Sequence, residues 1–206
     1  MQKRFSQACE NNKLPILEQL QQFFAPSRHV LEIGSGTGQH SVFFAQALPH
    51  LIWQTSDVPE NHPSILAWGE DSNLDNQASL SNWRSPLTLT IGVDPWPDAG
   101  ALFDAVFSAN TAHIMQPDEA KLMMQMVAEN LTKNGVFCQY GPFKFDGEFT
   151  SQSNLEFDQH LRLQGFGGYR DINELTQWAS TSEHSLQLTH VIDMPANNHL
   201  LVWLKA

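Results

Sequence analysis

Cysteine is scarce in this sequence, which has two among its 206 residues, Cys9 and Cys138. They form no Cys-x-x-Cys pair, so the sequence shows no zinc site of that kind. Cys138 lies in an apolar run, which favours a buried thiol. The histidines are scattered along the chain, and we therefore predict no metal site.

Positively charged residues are few as well. Lys and Arg together number 11 against 22 Asp and Glu, giving a formal net charge of −11. Proteins that bind nucleic acids usually present a basic face to the phosphates. The sequence contains no basic run, so a nucleic-acid partner is disfavoured.

Long hydrophobic runs are missing as well. No stretch approaches the roughly 20 apolar residues of a membrane span, and residues 1–7 contain no apolar core of signal-peptide length. We therefore expect a soluble, cytoplasmic protein without a membrane partner. Hydrophobic residues make up 41% of the chain, which suffices for a core. The length fits a single α/β domain over residues 1–206.

Strand and helix patterns alternate along the first two thirds of the chain. Strands are predicted at 28–33, 51–56, 87–92, 103–109 and 135–140. Helices are predicted before Pro26, at 39–48 and from Pro117, and residues 61–84 are predicted to form a helix and a polar loop. A last helix begins at Asp171, and strands at about 186–193 and 199–204 form a hairpin. The alternation predicts a doubly wound, mostly parallel sheet.

A glycine loop follows the first strand, with the sequence Gly34-Ser35-Gly36-Thr37-Gly38. Dinucleotide-binding loops favour Gly-x-Gly-x-x-Gly, which would place the last glycine at position 39, where Gln39 stands. Gly-x-Gly-x-Gly after an acidic strand residue is typical of S-adenosylmethionine (SAM) binding. We expect that acid, Glu32, to attract the ammonium of the methionine part. The alternative is a tight turn between strand and helix that binds nothing.

Further cofactor contacts are predicted at the ends of later strands. Asp57 stands 19 residues after Gly38, where an acid can accept hydrogen bonds from ribose hydroxyls. Asp94 follows the third predicted strand, where contacts to an adenine edge commonly form. The sulfonium side is predicted to be formed by Ser108, Ala109 and Asn110. Each polar residue among them has an alternative role as a turn, cap or loop residue.

Several other segments carry a family resemblance. They are NNKLPIL at 11–17, SDVPENHPSI at 56–65, SANTAHI at 108–114, YGPFKFDGEFTSQSN at 140–154, FDQHL at 157–161, GYRDINEL at 168–175 and MPANNHLLVW at 194–203. Together they resemble a family of SAM-dependent methyltransferase-like proteins that includes methyltransferase-like protein 26 of animals. The resemblance covers nearly the whole chain.

The resemblance implies a Rossmann-like class I methyltransferase fold, with seven strands in the order 3-2-1-4-5-7-6, and it implies SAM as cofactor. The family has no established substrate, so no catalytic residue can be transferred from it. Similar proteins have Arg before the Asn of the first motif, whereas here Asn11 precedes Asn12. Any role of that Arg is therefore in doubt.

The acceptor of the methyl group is expected beside the cofactor, because ligands of open α/β sheets bind beyond the carboxyl ends of the strands. We predict that residues 141–170 form a cap over the site together with the turn 195–198. The alternative is a packed loop with short helices and no catalytic role. The candidate substrate contacts are Tyr140, Lys144, Ser153, Asn154, Arg170, Asn197 and Asn198.

Arg170 suggests an acceptor with an acidic group, because guanidinium pairs well with carboxylate or phosphate. The alternative for Arg170 is a structural ion pair with Asp158 or Asp171. A base is needed only if the acceptor is protonated, and the candidates are His113 and Tyr140. For His113, packing in the core or at a helix entry is the alternative.

The expected function is therefore methyl transfer from SAM to a small molecule. The fourth strand continues as Asn110-Thr111-Ala112-His113, without the Asn/Asp-Pro-Pro-aromatic motif of many amino-group methyltransferases, which weakens a nucleobase or amide acceptor. A second hypothesis is a SAM-binding regulatory or interaction protein without turnover. A nucleotide-dependent oxidoreductase is disfavoured by the spacing at Gly38 and Gln39.

Overall fold

A seven-stranded sheet forms the centre of the protein in a computed structural model that describes residues 3–74 and 80–206. In chain order the strands are β1 (His29–Ile33), β2 (Ile52–Asp57), β3 (Trp83–Thr88), β4 (Ala105–Ala109), β5 (Val136–Gly141), β6 (Lys144–Phe145), β7 (Glu148–Phe149), β8 (Leu186–Met194) and β9 (Asn198–Lys205). β6 and β7 form a separate two-stranded sheet. The large sheet has the order β3-β2-β1-β4-β5-β9-β8.

The direction of the strands confirms the predicted fold. β1 to β5 pair in parallel, whereas β9 is antiparallel to both β5 and β8. Counted among the sheet strands alone, the order is 3-2-1-4-5-7-6, that of class I methyltransferases. β8 therefore runs in the direction of the first five strands, and its carboxyl end lies at the same edge as theirs.

Helices cover both faces of the sheet. They are α1 (Gln7–Phe23), α2 (Gln39–Ala47), α3 (His62–Leu74), α4 (Pro117–Asn130), α5 (Gln152–Leu163) and α6 (Ile172–Trp178). The first three lie on one face, where Ile16 and Phe44 pack with Phe107. On the other face, Met123 of α4 and Leu175 of α6 belong to a second buried cluster. Two apolar layers thus hold the sheet between them.

Two helix starts follow directly from local sequence. α4 has Pro117 in its first turn, and the Glu119 carboxylate accepts a hydrogen bond of 2.7 Å from the backbone N–H of Gln116. α6 begins after Asp171, as predicted, and Glu174 completes a capping box there. Such boxes satisfy amide groups that would otherwise lack partners at a helix start.

The third strand corrects the prediction of 87–92, because it spans Trp83–Thr88. Trp83 pairs with Trp53 of β2, and its indole nitrogen donates to Ser41 at 3.1 Å, so the strand starts earlier. It ends where Asp94 accepts a hydrogen bond of 2.7 Å from the Thr90 amide and forms a turn. The alternation of apolar residues continues beyond the strand because the following loop also packs against the core.

Residues 141–170 contain more regular structure than the sequence pattern indicated. The β6–β7 hairpin comes first, and the twelve-residue helix α5 follows, with Ser151 as its N-cap. The helix predicted near residue 61 is α3, and the polar loop predicted after it includes residues 75–79, which lie outside the described residues. No helix in the described ranges is long and apolar enough to cross a bilayer.

Candidate functional site

A cavity of about 830 Å³ opens at the carboxyl-terminal edge of the sheet. Its wall is formed by the glycine loop, the ends of β2, β4 and β5, the start of α1, part of α5 and the turn after β8. Ligand pockets generally measure about 300–1,000 Å³. The cavity therefore has the size of a ligand site and lies at the edge where open α/β sheets bind their ligands.

The glycine loop forms one wall of this cavity. Gly34 and Gly36 both have positive φ angles, +75° and +59°, a conformation that glycine adopts at little cost. A Cβ on Gly34 would lie 2.3 Å from Cγ2 of Thr111, so that position admits no side chain. A Cβ on Gly36 would meet no atom within 4 Å, because this residue borders the open cavity.

Asp57 ends β2 beside the loop and also lines the cavity. One carboxylate oxygen accepts a hydrogen bond of 2.6 Å from the Gly36 amide. The other accepts from the Val58 amide and from the side chain of Asn61, both at 2.7 Å. Ionised carboxylates accept about four hydrogen bonds, so capacity for a ligand hydroxyl remains.

Glu32 lies beneath the glycine loop and does not line the cavity. Its carboxylate accepts hydrogen bonds from the Ser35 hydroxyl at 2.8 Å and from the Trp53 indole at 3.1 Å. Burial raises the pKa of Glu32 to about 7, although both of these hydrogen bonds oppose the shift. The structure thus places Glu32 as a support of the loop, with Ser35 between it and the cavity.

The other predicted cofactor residues divide into two groups. Those that line the cavity are Gly34, Ser35, Gly36, Thr37, Asp57, Ala109 and Asn110. Gly38, Asp94 and Ser108 do not line it. The Ser108 hydroxyl is buried and bonds to that of Thr111, and Asp94 closes its own turn. Near the end of β3 the wall is formed instead by Leu89, Thr90 and Ile91.

Asn110 has a left-handed backbone at the carboxyl end of β4, with φ at +59°. Its amide donates to the Tyr140 carbonyl at 2.9 Å, which extends the pairing of β4 with β5. A non-glycine residue in this conformation stores strain, and such residues cluster at functional sites. The Asn110 side chain has no hydrogen-bond partner in the described part of the chain and lies in the cavity wall.

His113 also lines the cavity and is 6% exposed. Its ring centroid lies 6.1 Å from that of Phe157 and 6.0 Å from that of Tyr169. Burial lowers the pKa of His113 to about 4, and the charge of Arg170 adds to this shift. The imidazole is therefore neutral at physiological pH, and its nitrogens have no hydrogen-bond partner within residues 3–74 and 80–206.

Tyr140 reaches the cavity from the end of β5. Burial raises the pKa of Tyr140, and the side chain of Asn12 in α1, near the hydroxyl, lowers it in part. Oδ1 of Asn12 lies 2.7 Å from Nε2 of His40 in α2. Burial lowers the pKa of His40 to about 4, so this second imidazole is also neutral.

The predicted substrate contacts in the cap also fall into two groups, those that line the cavity and those that do not. Ser153, Asn154 and Asn198 line the cavity, together with Tyr140. Asn154 is 6% exposed, and its amide nitrogen donates to the Thr150 hydroxyl at 2.9 Å and to the Asn197 carbonyl at 3.1 Å. Asn154 therefore joins α5 to the turn after β8, so the two predicted parts of the cap are in contact.

Lys144, Arg170 and Asn197 do not line the cavity. The Arg170 guanidinium donates to the backbone carbonyls of Gly167 and Gly168. The predicted alternative, an ion pair with Asp158 or Asp171, is not what the structure shows, because Asp158 pairs with Arg162 at 2.8 Å. Nζ of Lys144 lies 5.8 Å from the centroid of the Phe149 ring, within the hairpin.

The segment before α1 crosses the glycine loop, which the sequence did not indicate. The Arg4 guanidinium donates to the Gly36 carbonyl at 3.0 Å and to the Asn61 side chain at 2.7 Å. Trp68 of α3 donates to the Arg4 carbonyl at 2.8 Å. Ser6 then lines the cavity and exchanges hydrogen bonds with the Gln39 side chain.

Asn12 and His40 are further cavity residues that sequence reasoning missed. A signal for Asn12 existed, because it stands four residues before Ile16 and eight before Leu20, the other buried residues of α1. A polar residue on the buried face of a helix requires a partner. The partner lies 28 positions away in another helix, which local patterns do not reveal.

Within the described ranges, no three His, Cys, Asp or Glu side chains form a group suited to a metal ion. Cys138, predicted as a buried thiol, is fully buried in β5, and this burial raises the pKa of Cys138 far above its ordinary value.

Solved structures share this fold. The O-methyltransferase NcsB1 of neocarzinostatin biosynthesis, in complex with SAM and 2-hydroxy-5-methyl naphthoic acid, matches 97% of this chain with a TM-score of 0.74 and 16% identity. An O-methyltransferase family protein of Burkholderia thailandensis matches 94% with 0.73 and 14%. An O-methyltransferase family 2 protein of Planctomyces limnophilus, in complex with apigenin, matches 87% with 0.72 and 16%.

The matches cover 55%, 56% and 51% of those three chains, so this chain spans about half of their length. At such identities the likeness concerns the fold. In sequence, residues 3–205 match the family described as protein of unknown function (DUF938). Because that match includes nearly every residue, the chain belongs to the DUF938 family.

Proposed function

We propose that the protein is a SAM-dependent methyltransferase that methylates a hydroxyl group of a small molecule. The observation that carries this proposal is that the glycine loop, Asp57 and His113 line one cavity. A cofactor loop alone suits a regulatory protein equally well. A neutral imidazole without a hydrogen-bond partner in the same cavity favours a reaction, because a protonated acceptor requires a base.

The residues of the cavity fit SAM. Asp57 retains acceptor capacity for ribose hydroxyls, and the open side of Gly36 permits close approach of a ligand to the backbone. Ala109 and Asn110 border the same space at the end of β4. When bound, SAM supplies a methyl group that its sulfonium makes electrophilic. Glu32 contributes indirectly, by holding Ser35 and the loop.

His113 is the residue we assign to proton removal. Its low pKa keeps the ring unprotonated, so a nitrogen lone pair is available at neutral pH without prior loss of a proton. The acceptor hydroxyl would give its proton to this nitrogen as its oxygen bonds to the methyl carbon, and the bond of that carbon to the sulfonium sulfur would break, with S-adenosylhomocysteine as the leaving group. The Asp158 carboxylate favours the imidazolium that results, since it raises the pKa of His113, whereas burial and the charge of Arg170 lower that pKa by more.

Tyr140 and Asn154 orient the acceptor in this proposal. Both line the cavity, and Asn154 is held by its hydrogen bond to the turn after β8. Prior positioning of the reacting groups lowers the entropic part of the barrier. The solved O-methyltransferases with apigenin and with a naphthoic acid support a small-molecule acceptor rather than a nucleic acid.

Two finer points belong to the same proposal. The chain resembles methyltransferase-like protein 26 of animals in the motifs at 140–154 and 194–203, and we propose a shared activity. We also propose a cytoplasmic location, where SAM is made and used.

The test is formation of S-adenosylhomocysteine (SAH) from SAM in a panel of phenols and alcohols. We expect turnover with at least one member, and a loss of about 10²- to 10⁴-fold in His113→Asn, with SAM affinity retained. His160→Asn is the matched control, because His160 is exposed on α5 and outside the cavity. SAM binding without turnover across the panel would favour a regulatory protein instead.

A further inference from the structure

The charges around the cavity are of one sign. Asp57 and Glu119 are the acidic residues of its wall, and no Lys or Arg of the described residues contributes to it. His113 and His40 add no positive charge, because both rings are neutral at physiological pH. A carboxylate or phosphate on the acceptor would therefore enter a site where no protein side chain supplies a cation to pair with it.

Three arginine side chains near the cavity are bound to other groups of the protein. Arg170 is 3% exposed and is held by the carbonyls of Gly167 and Gly168. Arg162 pairs with Asp158 on α5. Arg4 donates to the Gly36 carbonyl. Burying an anion without a partner is costly, and each of these three side chains already has a partner within the protein.

One polar side chain of the wall, that of Asn154, favours a ligand that donates hydrogen bonds. Both N–H groups of Asn154 are used, on Thr150 and Asn197. Its carbonyl oxygen has no partner in the described part of the chain, and the residue lines the cavity. A carbonyl oxygen accepts from a hydroxyl and repels a carboxylate. A site that hydrogen-bonds a substrate hydroxyl discriminates strongly against analogues without one.

Three aromatic rings form a further part of the cavity wall. Phe157, Tyr169 and His113 contact one another, with ring centroids separated by 6.0–6.3 Å. All three line the cavity. Aromatic side chains pack well against a flat ring, edge to face or offset. The wall thus combines apolar ring surface with acceptors of hydrogen bonds.

We infer that the acceptor is an uncharged, hydroxylated ring compound, and that the Asn154 carbonyl selects it by accepting a hydrogen bond from one of its hydroxyls. This inference rests on the proposed function and narrows it. The sequence had suggested an acceptor with an acidic group, because Arg170 could pair with it. The inference differs from that prediction because Arg170 does not line the cavity.

The test compares matched ligands on the protein saturated with SAH. The pairs are phenol with benzoate and 2-naphthol with 2-naphthoate, at pH 7, with affinity measured by ligand-observed NMR. We expect the hydroxy member of at least one pair to bind about tenfold or more tightly than its carboxylate. Equal or tighter binding of the carboxylates, or no binding by either pair at millimolar concentration, would overturn the inference.

A second part of the test introduces a positive charge into the cavity wall. Ser153 is exposed at the start of α5 and lines the cavity, whereas its neighbour Gln152 is exposed and does not. Ser153→Lys should increase affinity for 2-naphthoate by about fivefold or more, and Gln152→Lys should leave it unchanged. No gain in Ser153→Lys, or the same gain in both variants, would contradict the assigned position of the acceptor.

SAH binding itself is measured first, by calorimetry, which separates the two proposals. If SAH does not bind, the proposed function fails. If SAH binds and the ligand preference is reversed, only the identity of the acceptor is wrong.

Discussion

The carboxylate of Asp57 accepts a hydrogen bond of 2.6 Å from the backbone amide of Gly36. This contact fixes the end of β2 against the middle of the glycine loop. The two residues stand 21 positions apart in the sequence, and both line the cavity. Two residues that are far apart in the sequence, one in the glycine loop and one at the end of β2, are thus joined by a direct hydrogen bond.

Asp57→Ala should weaken SAH binding by about 1.5–3 kcal/mol, because hydrogen bonds to a charged acceptor contribute amounts of this order. The variant also removes the support of the Gly36 amide. Calorimetry with SAH measures the loss. Asp98→Ala is the control, because Asp98 is exposed, bonds to the Gly100 amide outside the cavity, and its loss should leave affinity unchanged. A folded Asp57→Ala protein with native affinity would exclude Asp57 from the site.

Two glycines of the same loop should respond differently to substitution. Gly34→Ala places a Cβ 2.3 Å from Thr111, so we expect a clear fall in melting temperature. Gly36→Ala meets open space and should cost only about 1 kcal/mol of stability for its positive φ. SAH affinity should nevertheless fall in Gly36→Ala, and more in Gly36→Val, because the side chain projects towards the ligand. Native affinity in both Gly36 variants would place the cofactor elsewhere.

The pKa of His113 has a direct consequence for pH dependence. A base acts in its unprotonated form, and burial keeps the pKa of His113 at about 4. The rate limited by this base should therefore be flat above about pH 5 and fall below pH 4. NMR titration of the histidine ring signals, assigned with His113→Gln, checks the value without a substrate. A midpoint near the ordinary 6.5 would show that the ring is solvated.

Glu32 should couple stability to pH. The pKa of Glu32 in the folded protein is about 7, above the ordinary 4.5. Its contribution to the free energy of unfolding is therefore fully present below pH 4.5 and is lost as pH rises through 7. The difference between these two pKa values corresponds to about 3 kcal/mol of stability. Glu32→Gln keeps an oxygen for Ser35 and Trp53 and should remove this dependence. Denaturant titrations at several pH values test it, with the exposed Glu18→Gln as control. The same slope in Glu32→Gln would contradict a raised pKa.

The fold was predictable where the information is local. Strand and helix periods, the glycine loop and the capping box at Asp171 and Glu174 each involve neighbouring residues. The third strand was misplaced because Leu89 and Ile91 continue its alternation while packing as a loop. Alternation reports burial, and a buried loop produces the same pattern as a strand.

The site was predictable only in part, because its remaining contacts join distant segments. Asn12 meets His40 across two helices. Arg4 meets Gly36 across 32 positions. Arg170 turned to the carbonyls of two preceding glycines, which no charge pattern indicates. Side-chain types identify what a residue can do, whereas tertiary structure decides which partner uses it.

Calorimetric titration of the protein with SAH and, separately, with NAD tests the central claim most directly. The spacing of Gly34, Gly36 and Gly38, the position of Asp57 and the fold predict that SAH binds at one site per chain. They also predict that NAD binds at least about a hundredfold more weakly or not at all. Tighter binding of NAD than of SAH, or binding of neither, would contradict the account.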